Sequence, residues 1–108
     1  MMRTATSALI LMAMAIWSAP LGAQQGDAGQ QAFREHCGGC HLEDGWASRV
    51  LARRVPAGEA ALEKRTTLPA AYVEMVVRRG IGSMPQLRRA ELDDATLKSI
   101  AAYLERKK

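Results

Sequence analysis

Both cysteines of the chain, Cys37 and Cys40, are separated by two glycines, and one of the two histidines follows at once, giving Cys37-Gly38-Gly39-Cys40-His41. This cluster constrains the fold more than any other feature, because the rest of the chain has little with which to build a core. The 108 residues allow one small domain, and only 5% of them are aromatic. Hydrophobic residues reach 48%, yet a large share of these lies in one run at the N-terminus. A multidomain assembly, a large enzyme with a deep catalytic cleft and a multi-pass membrane protein are excluded. A domain this small needs a metal, a disulfide or a cofactor to supplement its core.

The N-terminal run reads as a secretory signal over residues 1–23. Arg3 supplies its positive charge, and Ala8–Trp17 is an apolar stretch too short to span a bilayer. Pro20 and Gly22 then break any helix, and Ala23 is a small residue suited to cleavage. Removal of this segment takes Met1, Met2, Met12, Met14 and Trp17 with it and leaves residues 24–108 as the functional domain, with Met75 and Met84 as its methionines. The expected product is exported and soluble, without stable membrane insertion, and periplasmic in a bacterial source.

Along the remaining chain, Asp27 is placed to cap a short helix reaching about His36, with Gln30 completing a capping box. Gly38-Gly39 stop it. The segment from Leu42 to Val55 reads as loop, and Pro56 opens a weak helix through Lys64. Pro69 starts another helix whose apolar face is Tyr72, Val73, Val76 and Val77 and which Gly80 ends. Gly80–Leu87 is a turn-rich loop. Asp93 caps a last helix to about Arg106, with Leu97, Ile100, Ala101 and Leu104 on one stripe. No segment alternates with period two for long enough to form a sheet. The fold class is all-α, with three to five short helices. Gly29, four residues before Phe33, lets another helix approach, and Ile100 or Tyr103 can pack there.

The Cys-x-x-Cys-His form marks covalent attachment of haem c. The two thiols add across the two vinyl groups, the two-residue spacer matches the distance between those vinyls, and His41 is placed under the iron. Export agrees with this, since c-type haem is attached outside the cytoplasm. Three other chemistries compete. A disulfide oxidoreductase needs a βαβ pattern that the sequence lacks. A zinc site would have to wrap His36, Cys37, Cys40 and His41 around one tetrahedral ion from six adjacent residues. A plain disulfide leaves His41 without a role.

The sixth iron position has three candidates. His36 adjoins Cys37 and reads as an exposed residue at a helix end. Met75 lies within a helix among core-like neighbours and reads as packing. Met84 sits in the Gly-rich loop before Pro85, which can deliver its sulfur. With His41 and Met84 as axial ligands, both iron positions are closed and the potential is raised.

Taken together, these residues resemble the class I (mitochondrial-type) cytochromes c, in their small bacterial monohaem form. The resemblance rests on Asp27-x-Gly29-x-x-x-Phe33 before the Cys37–His41 motif, on Leu68-Pro69-Ala70-Ala71-Tyr72-Val73, Arg79-Gly80 and Ser83-Met84-Pro85, and on Leu92-Asp93-Asp94 through Ala102-Tyr103-Leu104. It implies a cytochrome c fold around one covalent haem, with crossed N- and C-terminal helices meeting at Gly29, Phe33, Ile100 and Tyr103. It also implies Cys37 and Cys40 as thioether sites, His41 as the proximal ligand and Met84 as the distal one. The chain departs from the family between His41 and Leu68, where it lacks the Gly-Pro pair whose carbonyl orients the imidazole; some other acceptor for His41 is expected. Arg49, Arg53, Arg54 and Trp46 in that stretch are candidates for the haem propionates or for a solvated face. Over a short segment around Met84 the chain also resembles the cytochrome subunit of flavocytochrome p-cresol methylhydroxylases.

The implied function is one-electron transfer by a periplasmic carrier, with no catalysis of its own, since no second cluster of acid, base and nucleophile is present. The redox partners would be a periplasmic dehydrogenase as donor and an oxidase or another cytochrome as acceptor. A dedicated electron-accepting subunit of a flavin- or quinone-dependent dehydrogenase is the alternative, and an open-iron haem sensor a third. A net charge of +4 and export argue against nucleic acid as a partner. Arg78-Arg79 and Arg88-Arg89 flank the Met84 loop and read equally as a steering surface for acidic partners or as ordinary solvated charges.

Overall fold

A computed structural model describes residues 21–106, with side chains from residue 28 onward. The apolar stretch Ala8–Trp17 lies outside the described residues. Among the described residues five α-helices follow one another: α1 Leu21–His36, α2 Gly38–His41, α3 Trp46–Leu51, α4 Ala70–Arg79 and α5 Asp94–Glu105, with a 3-10 turn at Leu62–Lys64 between α3 and α4. Among the described residues the extended pairing is limited to an isolated bridge between Ile81 and Met84. The all-helical reading therefore stands.

The first and last helices form the framework. α5 buries Leu97, Ile100, Ala101 and Leu104, the stripe that its 3.6-residue period requires, together with Tyr103. α1 meets it with Phe33, which is fully buried, and the Phe33 and Tyr103 rings lie 6.0 Å apart at 46°. Their close approach depends on Gly29. A Cβ at that position would collide with the Ser99 carbonyl and stand 2.9 Å from Tyr103 Cβ. Val73 and Val77 of α4, with Leu68 and Leu92, complete the core.

Local chemistry sets most of the ends. Asp93 caps α5, accepting a hydrogen bond from Thr96 N–H at 2.8 Å and from the Thr96 hydroxyl at 2.9 Å. Pro69 stands at the N-cap of α4. Gly80 ends α4 with φ +72, a left-handed conformation that side chains disfavour.

Four expectations need correction. α1 begins at Leu21, so Gly22 does not interrupt it and Asp27 lies inside it rather than at its cap. Gly38-Gly39 do not end the helical path. α1 stops at His36, and after one turn residue, Cys37, Gly38 opens α2. The stretch read as loop after Leu42 contains α3, whose Trp46, Ala47, Val50 and Leu51 recur at helical spacing. The helix expected from Pro56 shrinks to the 3-10 turn, because Gly58 adopts φ +84 and breaks helical geometry just after Pro56.

The candidate cofactor cavity

A cavity of about 310 Å³ opens between these elements. Cys37 and His41 border it from α2 and the turn before it, and Trp46, Val50 and Leu51 from α3. Tyr72, Val73, Val76 and Val77 of α4 supply a further wall, and Ile81–Met84 of the following loop another. Phe33, Ile100 and Leu104 connect it to the core. The exposed large apolar residues Trp46, Tyr72 and Ile81 are all part of this lining, which explains why side chains of that size are not covered by protein.

Met84 thus reaches the same place as Cys37 and His41 of the motif, from which it is distant in the chain. Cys40 is exposed and is not part of the lining. His36 is exposed at the end of α1, as its position at the helix end leads one to expect. Met75 differs from expectation. It is exposed and does not line the cavity, because α4 turns Val73 and Val77 into the core and Tyr72 and Val76 to the cavity, which leaves Met75 on the outer arc.

The ionisable groups here do not resemble a thiol redox site. Burial, reinforced by Cys40, pushes the Cys37 thiol up to about 11, whereas reactive Cys-x-x-Cys thiols are shifted down. Burial also lowers the His41 pKa, favouring the neutral imidazole that a metal requires. His41 Nδ1 is buried and has no hydrogen-bond partner. The acceptor expected in place of the missing Gly-Pro carbonyl is therefore not supplied by the described residues. Among those residues no group of three or more His, Cys, Asp or Glu side chains could hold a metal ion.

Two cations border this apolar space, Arg54 and Arg65. Arg65 Nε is buried without a partner, a costly arrangement unless an anion meets it. Sequence reasoning pointed to Arg49, Arg53 and Arg54 with Trp46. Of these, Arg54 and Trp46 reach the cavity, while Arg49 donates instead to the Asp44 carbonyl at 2.6 Å. Arg65 was missed, because it lies in a loop with no periodicity to give its direction.

These residues fit haem c. The walls suit a flat apolar ring, the Cys37 thiol one vinyl group at its edge, an imidazole and a thioether its iron, and two guanidinium groups its carboxylates, while Cys40 lies one turn on at the exposed rim. The flanking arginine pairs are mostly engaged within the chain. Arg78 and Arg89 share Asp94, and Arg88 pairs with Glu91.

Comparison with known proteins agrees with this geometry. The family model described as "Cytochrome C oxidase, cbb3-type, subunit III" matches residues 24–104. The cytochrome c subunit of 4-cresol dehydrogenase [hydroxylating] from Pseudomonas putida is 30% identical over 80 residues, covering 74% of this chain and 60% of that protein. The chain thus spans less than two thirds of that relative's length. No solved structure matches significantly. The chain, with its helical shell around an apolar cavity, belongs to the cytochrome c domains of the cbb3 subunit III family.

Proposed function

We propose that this protein is a periplasmic monohaem one-electron carrier, its haem c bound through Cys37 and Cys40 and its iron ligated by His41 and Met84. The convergence of Cys37, His41 and Met84 on one apolar cavity carries this reading. Haem supplies reversible one-electron chemistry when bound. The chain's part is to fix the ring through two thioethers, present an imidazole and a thioether to the metal, and exclude water with the α3 and α4 side chains. Arg54 and Arg65 hold the propionates, which gives the buried Arg65 Nε its anion. His41 and Met84 would together hold the iron and leave it no place for a substrate, so the bound haem would supply electron exchange alone.

The N-terminal 23 residues serve as a signal peptide. The start of the family match at residue 24 supports cleavage after Ala23, and the mass of the exported protein tests it. Among the described residues no helix is long and apolar enough to cross a membrane.

The central test is a pyridine haemochrome spectrum with a redox titration of wild type and Met84→Ala. One haem per chain is expected. Met84→Ala should lower the potential, lose the weak sulfur-to-iron charge-transfer band of the ferric protein and admit carbon monoxide to the ferrous iron. Survival of the band in that variant overturns the assignment of Met84.

A second reading is favoured by the relative in Pseudomonas putida, which is itself a dehydrogenase subunit. In that reading the same haem takes electrons from a tightly bound flavoprotein. Purification from the native host distinguishes the two. A stoichiometric complex with a dehydrogenase identifies a subunit, and a lone small haem protein a diffusible carrier.

A further inference from the structure

The loop that carries Met84 connects α4 to α5, and a single side chain ties its far half to both helices. Arg78, in the last turn of α4, donates from Nη1 to the Leu87 carbonyl at 3.0 Å and to the Leu92 carbonyl at 2.9 Å. Its Nη2 donates to Asp94 Oδ1 at 2.6 Å, in the first turn of α5. The side chain is 21% exposed, against 79% for Arg88 and 75% for Arg89, whose ion pairs lie on the surface and contribute little. Two further ties flank Met84: the Leu87 N–H donates to the Val77 carbonyl at 2.8 Å, and Ile81 and Met84 exchange backbone hydrogen bonds of 3.1 and 2.9 Å. Leu87 is thus held from both sides by consecutive residues of α4, through its N–H by Val77 and through its carbonyl by Arg78.

We propose that Arg78 is a positioning residue that holds the Met84 thioether in place by clamping the loop to α4 and α5. The proposal rests on the reading of Met84 as the distal ligand. The planar guanidinium serves the two carbonyls from Nη1 and the carboxylate from Nη2. A lysine keeps the charge but has a single nitrogen, which cannot stand where both Nη1 and Nη2 do, so the tie to Leu87 and Leu92 or the tie to Asp94 is weakened. A loosened loop base leaves Met84 to leave the iron more often, with the rest of the fold intact.

The test compares Arg78→Lys, Met84→Ala and Tyr103→Phe holoproteins with wild type. Tyr103 lies at the α1–α5 contact and does not line the cavity, so Tyr103→Phe reports general loosening. In Arg78→Lys the sulfur-to-iron band should fade on heating well before the helices unfold. Its ferrous form should bind carbon monoxide on the order of tenfold faster, as expected for one charge-assisted hydrogen bond lost. Tyr103→Phe should lower the melting temperature and leave band and carbon monoxide rate at wild-type values. A wild-type band and rate in Arg78→Lys overturns the proposal, and so does an equal acceleration in Tyr103→Phe. If Arg78→Lys yields no holoprotein, Arg78→Gln is measured in the same way. Retention of the band in Met84→Ala removes the ligand reading and this proposal with it. Loss of the band there beside an unchanged Arg78→Lys removes this proposal alone.

Discussion

Gly29 and Tyr103 show how much rests on single residues where α1 meets α5. Gly29→Ala drives a methyl group into the Ser99 carbonyl and Tyr103, and helix backbones cannot yield as a flexible side chain would. A cost of about 1–3 kcal/mol is expected, read as a lower denaturation midpoint at unchanged slope. Tyr103 donates its hydroxyl to Glu63 Oε1 at 2.7 Å, and Arg34 Nε reaches the same oxygen at 3.4 Å. Burial, then the Glu63 hydrogen bond and charge, raise the Tyr103 pKa above the usual 10.0. The folded protein therefore holds a proton that the unfolded chain releases above about pH 10, and stability falls as pH rises through that window. Tyr103→Phe should flatten this alkaline decline while lowering stability at neutral pH, as pH-dependent chemical denaturation will show. At the cavity, Arg65→Gln should lower the reduction potential of the holoprotein, because the cation favours the less positive ferrous state. An unchanged potential would place the propionates elsewhere.

Among the elements, α5 and the loop before it have their ends fixed by charge. Asp93 accepts from Thr96 N–H and hydroxyl, and these bonds hold its carboxyl below the usual 3.8. Asp94 is lowered likewise by Arg89 and then Arg78. A depressed carboxylate stabilises the fold above its unfolded value, and that contribution is lost as pH falls through the folded one. Asp93→Ala should therefore lower the melting temperature at neutral pH, with the gap to wild type closing as pH drops below about 3.8. The 3-10 turn is tied down in another way. Glu63 meets Tyr103 and Arg34, and Lys64 pairs with Glu43, which joins the long α3–α4 connection to the helix contact beneath it. This anchoring holds in place a segment that contributes Leu62 and Arg65 to the cavity.

At the scale of the whole molecule, the protein core and the cavity share walls. Phe33, Val73, Val77, Ile100 and Leu104 belong to both. A ring seated there would contact much of the apolar surface that the chain has available, so folding and cofactor attachment would be coupled. The Cys37→Ala/Cys40→Ala chain should lack a cooperative thermal transition by near-ultraviolet circular dichroism while keeping part of its helical signal. A sharp transition at the holoprotein's temperature would show that the protein core suffices alone.

The sequence by itself determined the Cys37–His41 motif, the all-helical class, the ends of α4 and α5, and the glycine that admits α5 against α1. Each is written locally, in a fixed spacing, a cap, a helix-ending glycine or a 3.6-residue stripe. The helix α3 was also legible in Trp46, Ala47, Val50 and Leu51, but the glycine before it, Arg49 within it and the two arginines just after it obscured the pattern. Only the tertiary structure decided that Met75 faces outward rather than into the core, that His41 Nδ1 lacks an acceptor, and that Arg65 and Arg78 point inward rather than to solvent. The reason is physical: the direction of a loop side chain is set by the elements that close around it, and those neighbours are distant in the chain.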